Sequence, residues 1–269
     1  MSIGGFFRSY WHRFSANRLK RRLALEPPTR SLDRPGWGES IKDPTGFYLE
    51  CVRYFCNQLP PAIREHRQYF NAPGKSRGFG EDAFHVMWFL LFKEFKPASF
   101  LEIGVFRGQT VSLAALLAQS YGLSCEIRGI SPFSSAADSV SNYPQDIDYY
   151  RDTLLNFDHF GLPHPKLLRA FSTDAEAVAL IKSRSWDLFY IDGSHEYDVV
   201  RRDWEACSAS LKPGGCIVLD DAGLNTSFVP PVFATGGHPG PSRLAREIDP
   251  RQFAEILQVG HNRVFQKKT

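Results

Sequence analysis

The chain has 269 residues, 43% of them hydrophobic and 23% charged, with a net charge of +3. That is enough for one α/β domain with extensions; it excludes wholesale disorder and gives no overall case for nucleic acid as a partner. Five cysteines (Cys51, Cys56, Cys125, Cys207, Cys216) form no Cys-x-x-Cys pair and no zinc spacing, which fits a reducing, cytoplasmic setting with buried thiols.

Residues 1–40 read as a basic arm and linker. Phe6, Tyr10 and Phe14 recur every four residues, and Arg8, Arg13, Arg18, Lys20, Arg21 and Arg22 supply positive charge ahead of the first acid, Glu26. Such a helix either rests on an anionic membrane surface, as a peripheral contact, or packs on its own domain or on a second copy in a homo-oligomer. No signal pattern precedes it. Pro27-Pro28 and Pro35-Gly36-Trp37-Gly38 predict an irregular linker.

Residues 41–97 read as a helical cap. Asp43-Pro44 suits a helix start and Pro60-Pro61 its stop, a second helix follows from about Ala62 to Phe70, and a strongly apolar one runs from Glu81 to Phe95. The most apolar run, Ala83 to Phe92, holds His85 and is too short to span a bilayer. His66 and His85 are expected to find local partners within the helices.

From residue 98 onward strands alternate with helices. Phe100–Ile103 is a buried strand, Gly104–Gly108 a turn, and Gln109-Thr110 opens a helix whose Leu113, Leu116 and Leu117 share a face. A strand feeding a helix through glycines offers backbone N–H groups and a positive dipole end, a cradle for a small molecule. An ordinary strand–helix turn needs glycine too. The spacing is Gly-x-x-x-Gly, not the Gly-x-Gly-x-x-Gly of dinucleotide folds. With Glu102 two residues ahead, it resembles motif I of class I S-adenosylmethionine (SAM) methyltransferases, in which the acid lies near the amino acid end of SAM.

Further strands are predicted at Cys125–Ile130, Leu167–Ala170, Trp186–Ile191 and Cys216–Leu219, with helices at Asp148–Phe160, Ala175–Ile181 and Tyr197–Leu211. Ser172 suits an N-cap for the second of these helices or an adenine contact. Lys212-Pro213-Gly214-Gly215 is expected to end the third and launch the fifth strand. This alternation implies a parallel sheet with helices on both faces, whose ligands sit beyond the carboxyl ends of the strands. Motif I, Ser131, Ser172, Asp192, His195, Asp220 and Asp221 all fall on that edge.

Asp192, Asp220 and Asp221 end two neighbouring strands. Three carboxylates together are costly unless a cation neutralises them, and oxygen ligands suit Mg2+ or another hard divalent ion. His195, three residues past Asp192, titrates near neutrality and suits a proton acceptor. The alternative is that these acids cap the following segments and His195 bonds a loop.

Tyr190-Ile-Asp-Gly-Ser-His-Glu-Tyr197, Asp203, and Leu211-Lys-Pro-Gly-Gly-Cys-Ile-Val-Leu-Asp-Asp221 resemble the metal-dependent sugar O-methyltransferases of the macrocin and mycinamicin type. They are also similar to rhamnosyl O-methyltransferases and cephalosporin-hydroxylase-like proteins. The resemblance implies a Rossmann-like, mostly parallel seven-stranded sheet with an antiparallel C-terminal hairpin, here Phe253–Val259 and His261–Gln266, behind an N-terminal helical extension. It implies Mg2+ on Asp192, Asp220 and Asp221, with His195 as base beside Asp192. It implies SAM contacts at Glu102, Gly104, Gly108, Gln109, Thr110, Ser131, Ser172, Asp192 and His195. Ser131 stands where such enzymes carry a ribose-binding acid, and Asp138 is a candidate substitute. Residues 222–248, rich in Gly and Pro, sit where a substrate lid belongs, with His238 and Arg243 placed to meet the acceptor. The activity implied is methyl transfer to a hydroxyl of a glycan, glycolipid or glycosylated natural product. The rivals are a metal-independent methyltransferase on another nucleophile and a non-catalytic cofactor-binding or assembly subunit.

Overall fold

The computed structural model describes residues 15–72, 77–136, 138–141 and 143–269. Its sheet has seven strands: β1 (Ser99–Ile103), β2 (Glu126–Ser131), β3 (Lys166–Arg169), β4 (Trp186–Ile191), β5 (Leu211–Leu219), β6 (Phe253–Val259) and β7 (Asn262–Lys267). Their order is β3-β2-β1-β4-β5-β7-β6. The first five are parallel and β7 is antiparallel to both β5 and β6, as the sequence predicts.

Period-two alternation explains how a uniformly apolar sheet makes two cores. Phe100, Leu188 and Val218 face one layer, and their chain neighbours Leu101, Phe189 and Ile217 face the other. The first layer is closed by α3 (Pro44–Asn57), α5 (Asp82–Phe95) and α6 (Gln109–Ser120), through Phe47, Met87 and Val111. The second is closed by α8 (Ala175–Lys182), α9 (Tyr197–Ser210) and α10 (Pro239–Glu247), through Ile181, Trp204 and Leu244. The strand order reverses between β1 and β4, so the crevice beyond their carboxyl ends is the expected ligand position.

The N-terminal extension packs on this core. Helix α1 (residues 15–25) buries Leu23, and Lys20 reaches Asp82 at 3.2 Å and lies over the Phe233 ring. The described part of the arm therefore rests on its own domain; Phe6, Arg8, Tyr10, Arg13 and Phe14 lie outside the described residues. Asp43 caps α3 by accepting the Gly46 N–H at 3.0 Å. Helix α4 (Pro61–Phe70) brings His66 to 3.1 Å from His85 and 2.9 Å from the Ser112 hydroxyl, partners on α5 and α6 rather than local ones.

Three further details depart from the sequence reading. The segment around Trp37 is a 3-10 turn (Arg34–Gly36) and a short helix α2 (Gly38–Lys42), because the Trp37 ring is buried and its Nε1–H donates to the Leu32 carbonyl. Strand β5 begins at Leu211, before the Pro-Gly-Gly, since Gly214 takes a φ of +79° and the chain bulges inside the strand instead of turning before it. Ser172 is not the cap of α8: Asp174 occupies that position, and its carboxylate accepts the Phe171 N–H.

Candidate active site

Beyond the carboxyl ends of β1 and β4 lie two adjoining cavities of about 420 and 360 Å³ that share Gly104, Phe106, Tyr143 and Asp192. The first holds the acid cluster, Glu102, Gln109 and Thr110. The second is lined by hydroxyls and rings, among them Ser131, Phe133, Phe171, Ser172 and Ser194.

Asp192 continues β4 and Asp220 continues β5, and the Asp220 N–H donates to the Ile191 carbonyl, which locks the two strand ends side by side. Burial, and then the Asp220 charge, push the Asp192 carboxyl well above the usual carboxylate range. Burial alone would raise Asp220 as well, but the charge of His261 overrides it and holds Asp220 down. The buried Asp220 Oδ1 makes no well-aligned hydrogen bond and lies 3.3 Å from His261 Nε2, an ion-pair contact.

Asp221 has a φ of +54°, a left-handed conformation unusual for a residue other than glycine. The segment 222–248 holds it there. The Asp221 carbonyl accepts the His238 N–H at 2.8 Å and the Ser242 hydroxyl at 3.1 Å, and a Cβ on Gly237 would lie 2.4 Å from it. This turn aims the Asp221 carboxylate back at His195 Nε2, 2.8 Å away.

His195 is gripped from both sides. Asp138 accepts from its backbone N–H and stands 2.7 Å from Nδ1. Burial disfavours the charged ring, yet the hydrogen bond and charge of Asp221, with those of Asp138, raise the imidazole to about 9. Those backbone and side-chain donors hold Asp138 well below the usual carboxylate range against the cost of its burial. Asp138 lines the second cavity, but its carboxylate is committed to His195 and to the Ser141 and Val140 N–H groups.

The glycine turn is built for close approach. Gly104 has a φ of +98°, and a Cβ there would sit 1.9 Å from the Asp192 carbonyl oxygen. Gly108, at φ +82°, precedes the first turn of α6. Glu102, 3% exposed, is pushed up to about 8 by burial, and its Oε2 has no hydrogen-bond partner. Gln109 spends its Oε1 on the Gly80 N–H at 3.0 Å, and its buried Nε2 has no partner.

The structure thus brings Glu102, Gly104, Gln109, Thr110, Asp192, His195, Asp220, Asp221 and His238 to one cavity, and Ser131 and Ser172 to the next. Arg243 is not among them; it lies over the Tyr197 ring and pairs with Glu247. Sequence reasoning missed His261 and the role of Asp138. The first is set by the register that the fold adopts: Leu219 opposes Arg263 in the antiparallel β5–β7 pair, and continuing that register sets His261 opposite Asp221. Asp138 sits in an irregular serine-rich loop, where no periodicity points to it.

A family model described as a methyltransferase domain matches residues 101–222. No curated protein matches the chain. Among solved structures, the SAH-bound methyltransferase PaMTH1 of Podospora anserina is 14% identical with a TM-score of 0.54, over 78% of this chain and 89% of that one. An O-methyltransferase of Bacillus cereus in complex with SAH is 15% identical with a TM-score of 0.51, over 80% and 95%. TomG of Streptomyces achromogenes, an O-methyltransferase involved in Tomaymycin synthesis and solved with SAM, is 13% identical with a TM-score of 0.51, over 89% and 100%. At these identities the likeness is one of fold.

Proposed function

Residues 101–222 being a methyltransferase domain, we propose that the chain transfers a methyl group from SAM to a hydroxyl, with a divalent cation at the acid cluster. The observation that carries this is the junction of the two cavities. A buried carboxylate with one unpartnered oxygen (Glu102) and a glycine turn adjoin a cavity lined by Asp192, Asp220 and Asp221, of which Asp220 and Asp221 close with His261 into one ligand-sized group, and an oriented imidazole.

The residues fit both groups. Glu102 Oε2, buried and without a donor, suits the ammonium of a methionine moiety, and Gly104 keeps the backbone beside it free of a Cβ. The hydroxyl-lined second cavity, with Phe133 and Phe171, suits the nucleoside; Ser131 and its neighbours offer neutral hydrogen bonds where a ribose acid is more usual. Asp192, Asp220 and Asp221 would hold the ion, since their mutual repulsion calls for positive charge. SAM supplies the electrophilic methyl, and the ion a charge that favours loss of the acceptor's proton.

The chain's own work is then orientation and proton transfer. His195 accepts the hydroxyl proton at Nε2, and Asp138 fixes its ring by accepting from Nδ1. Asp221 stands 2.8 Å from that Nε2, and as a ligand of a bound cation it would be a weaker competitor for the acceptor's proton. The first cavity, about 420 Å³ with Phe79 packed at a tilt against Phe106 on its wall, has room for a sugar-sized acceptor, and we assign the acceptor to glycans, glycolipids or glycosylated natural products. Among the described residues no helix is long and apolar enough to cross a membrane.

The test is turnover of SAM with acceptor sugars, with and without EDTA, in the wild type and in Asp221→Asn. The reading expects activity to fall by about 100-fold or more on chelation and in the variant. Full activity in both removes the cation from the reaction.

A further inference from the structure

Resting on the cation reading above, we propose that His261 is a direct ligand of the ion, so that the centre is a mixed nitrogen–oxygen site suited to a transition-metal dication rather than an all-oxygen Mg2+ site.

The argument begins with the tautomer. His261 Nδ1 is 3.0 Å from the Thr235 carbonyl oxygen, which only accepts, so Nδ1 carries a proton. In the neutral ring Nε2 then keeps its lone pair, the arrangement found in imidazole ligands whose other nitrogen is tied to a carbonyl. The ring cannot turn away, being 8% exposed and packed edge-on against Phe84 at 4.8 Å.

Nε2 faces the acid cluster. Nε2 is 3.3 Å from Asp220 Oδ1 and 3.8 Å from Asp221 Oδ1, and one ligand atom from each of the three residues lies within 4.8 Å of the others. Two atoms each about 2.1 Å from a common ion, at octahedral or tetrahedral angles, stand about 3.0–3.4 Å apart. The Asp220–His261 separation falls in that range, and no well-aligned hydrogen bond reaches that buried Asp220 Oδ1. An imidazole in the set favours Mn2+, Fe2+, Co2+ or Zn2+ over Mg2+, which takes oxygen.

Full-length protein stripped by chelator is titrated with Mn2+, with free ion followed by electron paramagnetic resonance and nitrogen coupling read by pulsed measurements. The proposal expects a ¹⁴N coupling in the wild type that persists in the double variant His195→Gln/His238→Gln, which removes the other imidazoles near Asp221. It expects His261→Gln, folded by thermal melt, to lose the coupling and to bind Mn2+ about 10-fold or more weakly. It further expects Mg2+ to displace Mn2+ only at more than about 10-fold excess. Mn2+ binding that Asp220→Asn abolishes, with no coupling in the double variant and unchanged affinity in His261→Gln, overturns the role of His261 and leaves the cation reading standing. No Mn2+ binding by the wild type overturns both. Should His261→Gln fail to fold, the coupling in the double variant decides alone.

Discussion

Glu102 is a buried acid with one carboxylate oxygen, Oε2, that no donor reaches. Its carboxyl is raised to about 8 by desolvation, so its contribution to stability is present below the ordinary glutamate value near 4.5 and is lost as pH climbs through 8. Glu102→Gln is therefore expected to melt no lower than wild type at pH 8.5, while binding S-adenosylhomocysteine about 10-fold or more weakly by calorimetry. His195 and His261 behave alike for the opposite chemical reason: nearby carboxylates raise them, against burial, to about 9 and about 10. Their stabilisation is complete below about 6.5, the ordinary histidine value, and is lost as pH passes 9 to 10. In EDTA, melting temperature should fall across that window, and less steeply in His195→Gln. Divalent-ion affinity should rise over the same window, because the ion competes with those protons. At this scale the sequence was most informative where type and spacing coincide: Asp192, His195, Asp220 and Asp221 were legible from strand-end position. His261 and Asp138 were not, because one depends on sheet register and the other on a loop without pattern.

At the scale of elements, the site is an agreement among strand ends. The β4 and β5 termini are tied by the Asp220 N–H to the Ile191 carbonyl, and the β1 turn fits beneath Asp192 only because Gly104 lacks a side chain. Gly104→Ala places a methyl 1.9 Å from the Asp192 carbonyl in a left-handed backbone, and should cost roughly 2 kcal/mol or more in chemical denaturation while also weakening ion binding. Gly161→Ala is the control: its φ is +61° but nothing lies within 4 Å of the new Cβ, so about 1 kcal/mol and unchanged ion binding are expected. The alternation of strands and helices was readable because each strand is a short apolar run bounded by turn residues. The start of β5 and the capping of α8 were not, since a bulge and a cap are settled by neighbours that only the fold brings near. The same holds for the Trp37 segment, whose prolines and glycines signal a linker while its ring signals burial.

At the scale of the molecule, the two cavities meet at Gly104 and Asp192. The helical extension and the segment 222–248 complete the first cavity with Glu81, Trp88, Thr235 and His238, and the Gly237–Asp221 contact couples that segment to the acid cluster. The most direct test is a crystal of the protein with S-adenosylhomocysteine and Mn2+, examined for anomalous scattering at the manganese edge. The account predicts one strong peak bounded by the Asp192, Asp220 and Asp221 carboxylates, with the ligand's amino group against Glu102 and its sulfur facing the peak. A cofactor seated at the glycine turn with manganese elsewhere, or an acid cluster bridged only by hydrogen bonds, contradicts it.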